Sequence, residues 1–272
     1  MRREFSSVCE ALALFDHFVN LFPAKMWARA MHLAPRIADS SRKRMLMTDF
    51  ALDALDLAAL LCSRVCHDVI SPVGAIVNGL EVLEDEKDAE MRDIAFDLIK
   101  KSAETASARL QFCRLAFGAA GSAGASIDTG EAEKVARGLF ADQKTQIEWR
   151  AARVLMPKNQ VKLILNLCLI AAAAIPRGGV ITVTTGDAGA SGDALRLRVT
   201  AQGPNAKLAS HTPSLLAGAP EHNAVDAHAI QPFYTSLVAK AADMTLEVVT
   251  EPDFVAIEAF HASDRMGADV AA

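Results

Sequence analysis

The sequence predicts an α plus α/β fold: an antiparallel pair of long helices, then an α/β sandwich of one sheet and a helical layer. Three observations carry this. Apolar residues recur in steps of three and four from Leu52 to Leu83, a second stripe of the same period follows one polar break, and strand-like runs alternate with helical ones in the rest of the chain.

Residues 1–46 stand apart. They hold eight Lys or Arg against four Asp or Glu, about +4, whereas the remainder is about -9, so they read as an N-terminal extension, with Met45 and Met47 as alternative starts. The apolar stretch ALALF is broken at once by Asp16 and His17, which argues against a secretory signal. Residues 47–120 form the hairpin. Leu52, Leu55, Ala59, Cys62, Cys66, Val69, Val73, Ile76, Leu80 and Leu83 define a bundle seam on the first helix, EDEKDAE makes the turn, and Met91, Ala95, Leu98, Ser102, Ala106, Leu110, Cys113 and Phe117 make the second stripe.

GAAGSAGASIDTGE, residues 118–131, is rich in glycine and serine and marks a domain boundary. The α/β domain spans 127–262. EAEKVARGLFADQ reads as a helix, QIEWR as a strand, VKLILNLCLIAAAAI as a buried helix ended by PRGG, and VITVTT and ALRLRVTA as strands. Residues 201–229 read as a loop, and QPFYTSLVAKAA, MTLEVVTE and FVAIEAFHA as a closing helix and two strands, leaving 263–272 as a tail.

Composition narrows the function. With 272 residues, 51% of them apolar, a sizeable core is available, and a net charge of -5 leaves no electrostatic footprint for nucleic acid. Five cysteines without framework spacing fit a reducing cytoplasm and predict no disulfides. The longest apolar run, Leu163 to Pro176, contains Asn166 and falls short of the roughly 20 residues of a membrane span. A cytoplasmic protein without membrane or nucleic-acid partners is expected.

The first helix carries an anomaly, LCSRVCHDVISPV. His67 lies one step off the seam and shares its face with Leu60, Arg64, Ser71, Gly74 and Asn78. Asp68, next along the chain, is placed to accept from the imidazole Nδ1–H, which leaves the Nε2 lone pair outward as a nucleophile. Pro72 lacks the N–H that the carbonyl of Asp68 would receive, a cost of about 3 kcal/mol that predicts a local bulge turning the ring outward. The plainer alternative is a solvated or structural histidine, against which the adjacent Asp and the Pro at +5 both weigh. Metal or haem attachment has little support: Cys62-x-x-x-Cys66-His67 is not C-x-x-C-H, and both cysteines fall on the inward seam.

His67-Asp68-Val69-Ile70-Ser71-Pro72-Val73 resembles the H-box of two-component sensor kinases, where a His followed by an acidic residue and by Pro at +5 marks the phosphorylated helix. The resemblance implies that the hairpin dimerises into a four-helix bundle. LILNLCLIAAAAIPRGGVITV is similar to the frame of the kinases' ATP-binding domain, yet it departs at each nucleotide element. Ile170 stands where the family has the Asn that holds Mg²⁺, Ala201-Gln202-Gly203-Pro204-Asn205 replaces D-x-G-x-G, and HAIQPF replaces the glycine-rich lid. A degenerate histidine-kinase ATPase-like domain is therefore implied, without use of ATP.

From about Leu57 to His261 the whole resembles the histidine phosphotransferases of the alpha-proteobacterial cell-cycle relay. That resemblance implies His67 as phosphoacceptor, assisted by Asp68, Ser71 and Arg64, and a receiver-binding face of Leu60, Ile70, Gly74 and Asn78. It implies no cofactor held by this chain, Mg²⁺ being supplied by the partner receiver. The implied partners are a second copy, the receiver domain of a hybrid histidine kinase, and response-regulator receivers of CtrA-like and CpdR-like type. Two other readings are a dimeric adaptor that carries no phosphate and a sensor kinase that retains ATP use.

Overall fold

The computed structural model describes residues 50–118, 124–141, 144–187 and 195–261. The extension 1–46, the tail and the centre of the glycine-rich boundary lie outside the described residues. Two helices open the fold, α1 (Ala54–Asp85) and α2 (Ala89–Ala116). Asp53 caps α1 by accepting the N–H of Leu55 at 2.9 Å, and Asp88 caps α2 by accepting that of Glu90 at 3.1 Å.

The acidic turn between them is built from its own charges. Glu86 accepts the N–H groups of Lys87 and Asp88, which hold its carboxyl below the usual range, while Arg92 donates to the carbonyls of Leu83 and Glu86 that α1 leaves unpaired. The hairpin is tight. A Cβ on Gly79 would lie 2.6 Å from Ile99 Cγ1, so only glycine allows the helices to approach so closely there.

The chain continues through β1 (Ser126–Asp128), α3 (Thr129–Phe140), β2 (Thr145–Trp149), β3 (Leu155–Pro157) and α4 (Lys158–Ala174). Then come β4 (Gly179–Asp187), β5 (Leu195–Gln202), the short α5 (Thr212–Leu216), α6 (Ile230–Ala241), β6 (Met244–Glu251) and β7 (Phe254–His261). The five-stranded sheet runs β2-β4-β5-β7-β6, with β2 parallel to β4 and the other pairs antiparallel, and β1 pairs with β3 in a separate small sheet. The PRGG turn needs its glycines: Gly178 has φ 94° and Gly179 φ 149°, both pressed against the backbone of neighbouring segments.

The apolar helix predicted at 161–175 is α4, and it is the centre of the core: Val161, Leu163, Ile164, Leu165 and Leu167 are fully buried with Ile181, Val183, Leu197 and Ile257 of the sheet. Phe112, Leu115 and Ala116 at the end of α2 belong to that same cluster. A second cluster joins α1 to α6. Leu57, Leu60 and Leu61 pack around Leu215, Ile230 and Phe233, and Phe50 meets Phe233 edge-on at 5.4 Å. The start of α1 and the end of α2 are thus both set on the α/β layer, with His67 between them in sequence.

Three expectations are corrected. Residues 201–229 are not all loop: α5, opened by Pro213, and a 3₁₀ turn at Glu221–Asn223 lie within them. The helix runs through Pro72 without a wider turn, so no bulge forms. Cys62 and Cys66 are exposed in the protomer, as are Leu55 and Leu80, because α1 turns Pro72 and Gly79 inward and this stripe outward.

Cysteine chemistry follows from these placements. Burial, with the Asp68 charge adding to it, pushes the Cys113 thiol up to about 11, and burial alone pushes Cys168 to about 12. Since the thiolate is the reactive form, iodoacetamide labelling read by mass spectrometry should leave Cys113 and Cys168 untouched in the folded protein. Both folded values lie above the unfolded value of about 8.5, so their stabilisation is complete below about pH 8.5 and is lost as pH climbs through 11 to 12. Labelling of either at neutral pH would contradict the packing.

Candidate functional site

His67 sits midway along α1 with its side chain 84% exposed. Its Nδ1 faces Asp68 Oδ1 at 3.4 Å, and Asp68 Oδ2 accepts from Arg64 Nε at 3.0 Å, so one carboxylate joins the imidazole to the guanidinium one turn earlier. With the proton on Nδ1, the lone pair of Nε2 points away from the carboxylate.

The proline is accommodated from outside the helix. Pro72 offers no N–H to the carbonyl of Asp68, and Arg109 of α2 donates its Nη1 to that oxygen instead. A carbonyl that would be orphaned is satisfied by a cation from the neighbouring helix. Arg109 thereby stands beside the His67 face, a residue that no spacing argument on α1 identifies.

A cleft of about 410 Å³ opens at this point. Its rim is polar, with Arg64, His67, Asp68 and Ser71 of α1 and Arg109 of α2. Its floor is apolar: Phe112, Phe117, Leu139, Phe140 and Leu169 come from α2, α3 and α4. A rim that carries a nucleophile and two cations above an apolar floor can hold an acidic group against the imidazole while a neighbouring apolar surface docks.

The expected site residues distribute as follows. His67, Asp68, Ser71 and Arg64 come together at the cleft. Ile70 is 54% exposed, Asn78 is exposed, and a Cβ on Gly74 would meet nothing within 4 Å, so a partner has room to approach there. Leu60 is a correction: it is half-buried against the α5 and α6 cluster and is not part of an open face. Beside the cleft, and sharing Arg64, His67 and Asp68 with it, a smaller hollow of about 200 Å³ is bounded also by Ser63, Ala227 and His228.

The positions where nucleotide elements were expected carry other work. Ile170 and Ala201 are buried in the core. Asn166, fully buried, donates to the carbonyls of Ala116 at 3.1 Å and Lys162 at 2.8 Å and accepts from Gln231 Nε2 at 2.7 Å, tying α2, α4 and α6 together. Among the described residues no cluster of three or more His, Cys, Asp or Glu could hold a metal ion.

Residues 129–253 match the family model described as the histidine phosphotransferase C-terminal domain. The chain is 51% identical over 205 residues to the protein phosphotransferase ChpT of Brucella abortus (strain 2308), covering 75% of this chain and 95% of that one. A solved structure described as a bacterial phosphotransferase is 46% identical and superposes with a TM-score of 0.68 over 77% of this chain and 98% of its own.

Proposed function

The chain belongs to the family of histidine phosphotransferases that includes ChpT, and from that premise we propose that it shuttles a phosphoryl group between receiver-domain aspartates through Nε2 of His67. The observation that carries this reading is the exposed imidazole, its Nδ1 held by Asp68, at the mouth of a cleft with cations on the rim and aromatics on the floor.

The step balances without an external base. The Nε2 lone pair forms the N–P bond as the aspartyl O–P bond of a phosphorylated receiver breaks, and the receiver carboxylate leaves with the bonding pair. The proton stays on Nδ1, and the positive charge that develops on the ring is met by Asp68. Return transfer reverses this at the carboxylate of a second receiver. The transition state is loose, so positioning and charge neutralisation are the protein's contribution, and Arg64 and Arg109 are placed to face phosphoryl oxygens. Ser71, exposed one turn beyond His67, is placed to hydrogen-bond an incoming group. Mg²⁺ belongs to the receiver in this scheme. The cleft floor together with Ile70, Gly74 and Asn78 is the docking surface for receivers, which include the hybrid-kinase receiver as donor and CtrA-like and CpdR-like regulators as acceptors in a cell-cycle relay.

The working unit is a homodimer. Leu55, Leu80 and Val82 on α1 and Met91, Ile94, Leu98 and Leu110 on α2 are exposed large apolar residues, more than a monomer leaves open without a use, and a second hairpin completing a four-helix bundle covers such a stripe. By length and composition alone α1 is long and apolar enough to cross a membrane. Arg64, His67 and Asp68 at its middle favour a protein partner over lipid. The site is cytoplasmic in this reading, as a relay between intracellular receivers requires.

The test is direct. Incubation with a ³²P-labelled receiver should place an acid-labile, base-stable label on the chain, which then passes to a second receiver. Incubation with [γ-³²P]ATP alone should leave it unlabelled, since the helix that would hold the metal presents Ile170 to the core. A chain that binds receivers yet never takes label would be an adaptor, and labelling from ATP alone would restore the kinase reading.

A further inference from the structure

Resting on the reading of His67 as phosphoacceptor, we propose that His228 completes a phosphoryl-holding subsite, in which it and Arg64 grip the oxygens of the phosphate carried on His67 between transfers. The geometry is the small hollow beside His67, whose far wall is formed by Ala227 and His228. That wall is fixed in place. The Asp226 carboxylate accepts the N–H groups of His228 at 2.9 Å and Ala229 at 2.8 Å, and the Asp226 carbonyl accepts that of Ile230 at 3.0 Å. Ile230 and Phe233 then anchor α6 on Leu57, Leu60 and Leu61 of α1, so the helix that carries His67 and the segment that carries His228 are packed as one piece.

The chemistry of the walls suits a phosphoryl group. It brings nearly two negative charges and three strong acceptor oxygens, and the hollow offers an imidazole, a guanidinium and the hydroxyl of Ser63. The acidic groups nearby have other tasks: Asp68 faces Nδ1 of His67 and Arg64, and Asp226 is occupied by backbone N–H groups. Glu221 and His211 lie with His228 around a separate hollow. Leaning the phosphate toward His228 keeps the Ser71 and Arg109 side clear for the receiver carboxylate. No bond is made or broken at His228; it holds the phosphoryl oxygens while the N–P bond stays on His67.

The test uses the full-length protein and phosphoramidate as the donor. Label mapped to His67 by mass spectrometry is followed in time after removal of the donor, and the ³¹P resonance of the phosphohistidine is recorded. His228→Ala should shorten the half-life of phospho-His67 by about fivefold, the effect of losing a charge-assisted hydrogen bond at an exposed site, and should move the ³¹P resonance. His228→Gln, which keeps an N–H donor of similar reach, should recover most of the half-life. Equal half-lives and an unmoved resonance in both variants would overturn the subsite while leaving the transfer reading intact. Phospho-His67 that is long-lived in the native protein yet gives no phosphate to any receiver would overturn the transfer reading itself.

Discussion

His67→Ala should reduce phosphoryl transfer between receivers to background, with no change in oligomeric state or unfolding midpoint. The loss is complete because no other group lining the cleft can replace the nucleophile: Ser71 has no base to activate it, and Cys113 is held neutral by burial, its value pushed up to about 11. Stability is spared because the imidazole is 84% exposed and touches only Asp68 in the hydrogen-bond network. Substitution at such a surface position changes stability by about 0.5 kcal/mol or less. Autoradiography of a three-component mixture, donor receiver, variant and acceptor receiver, reads the result. Transfer that persists with the variant would remove His67 from the mechanism.

Asn166→Leu should cost about 3 kcal/mol of stability, far more than its size suggests. The replacement keeps the volume, so no large cavity forms, but the Ala116 carbonyl at the end of α2 and the Gln231 side-chain amide both lose their partner in the interior. Each buried polar group left unsatisfied costs about 1 to 3 kcal/mol. The Lys162 carbonyl lies within α4 and retains a place in the helical ladder. Gln231 Oε1 is already a buried atom without a partner, so the whole Gln231 amide would stand unsatisfied. Urea unfolding should show a lower midpoint at unchanged slope. A shift worth under about 0.5 kcal/mol would mean that water enters and replaces the asparagine.

Much of this molecule was legible in its sequence because period alone carries it. The two long helices, the buried α4 and all five strands of the main sheet announce themselves as steps of three and four or as short strand-like runs. β1 and β3, at three residues each, are too short to show a period, and α5 is a single turn of five residues. His67 was readable because histidine, aspartate and proline are close along one helix. Arg109 was not, since its contact with the Asp68 carbonyl spans 41 positions and depends on how α2 packs. His228 was hidden for the same reason. Leu60 shows the complementary limit: spacing shows which residues share a face, but not that α6 covers one end of it.

The bond from Arg109 to the Asp68 carbonyl has a consequence for how the site comes into being. A peptide of the first helix alone would carry a break in its own ladder at the position beside the reactive ring. Only closure of the hairpin supplies the missing donor, so the turn bearing the nucleophile matures together with the tertiary fold and not ahead of it. On the proposed reading of His67 as phosphoacceptor, a half-assembled chain presents no ordered acceptor for phosphate, and competence for transfer coincides with correct assembly.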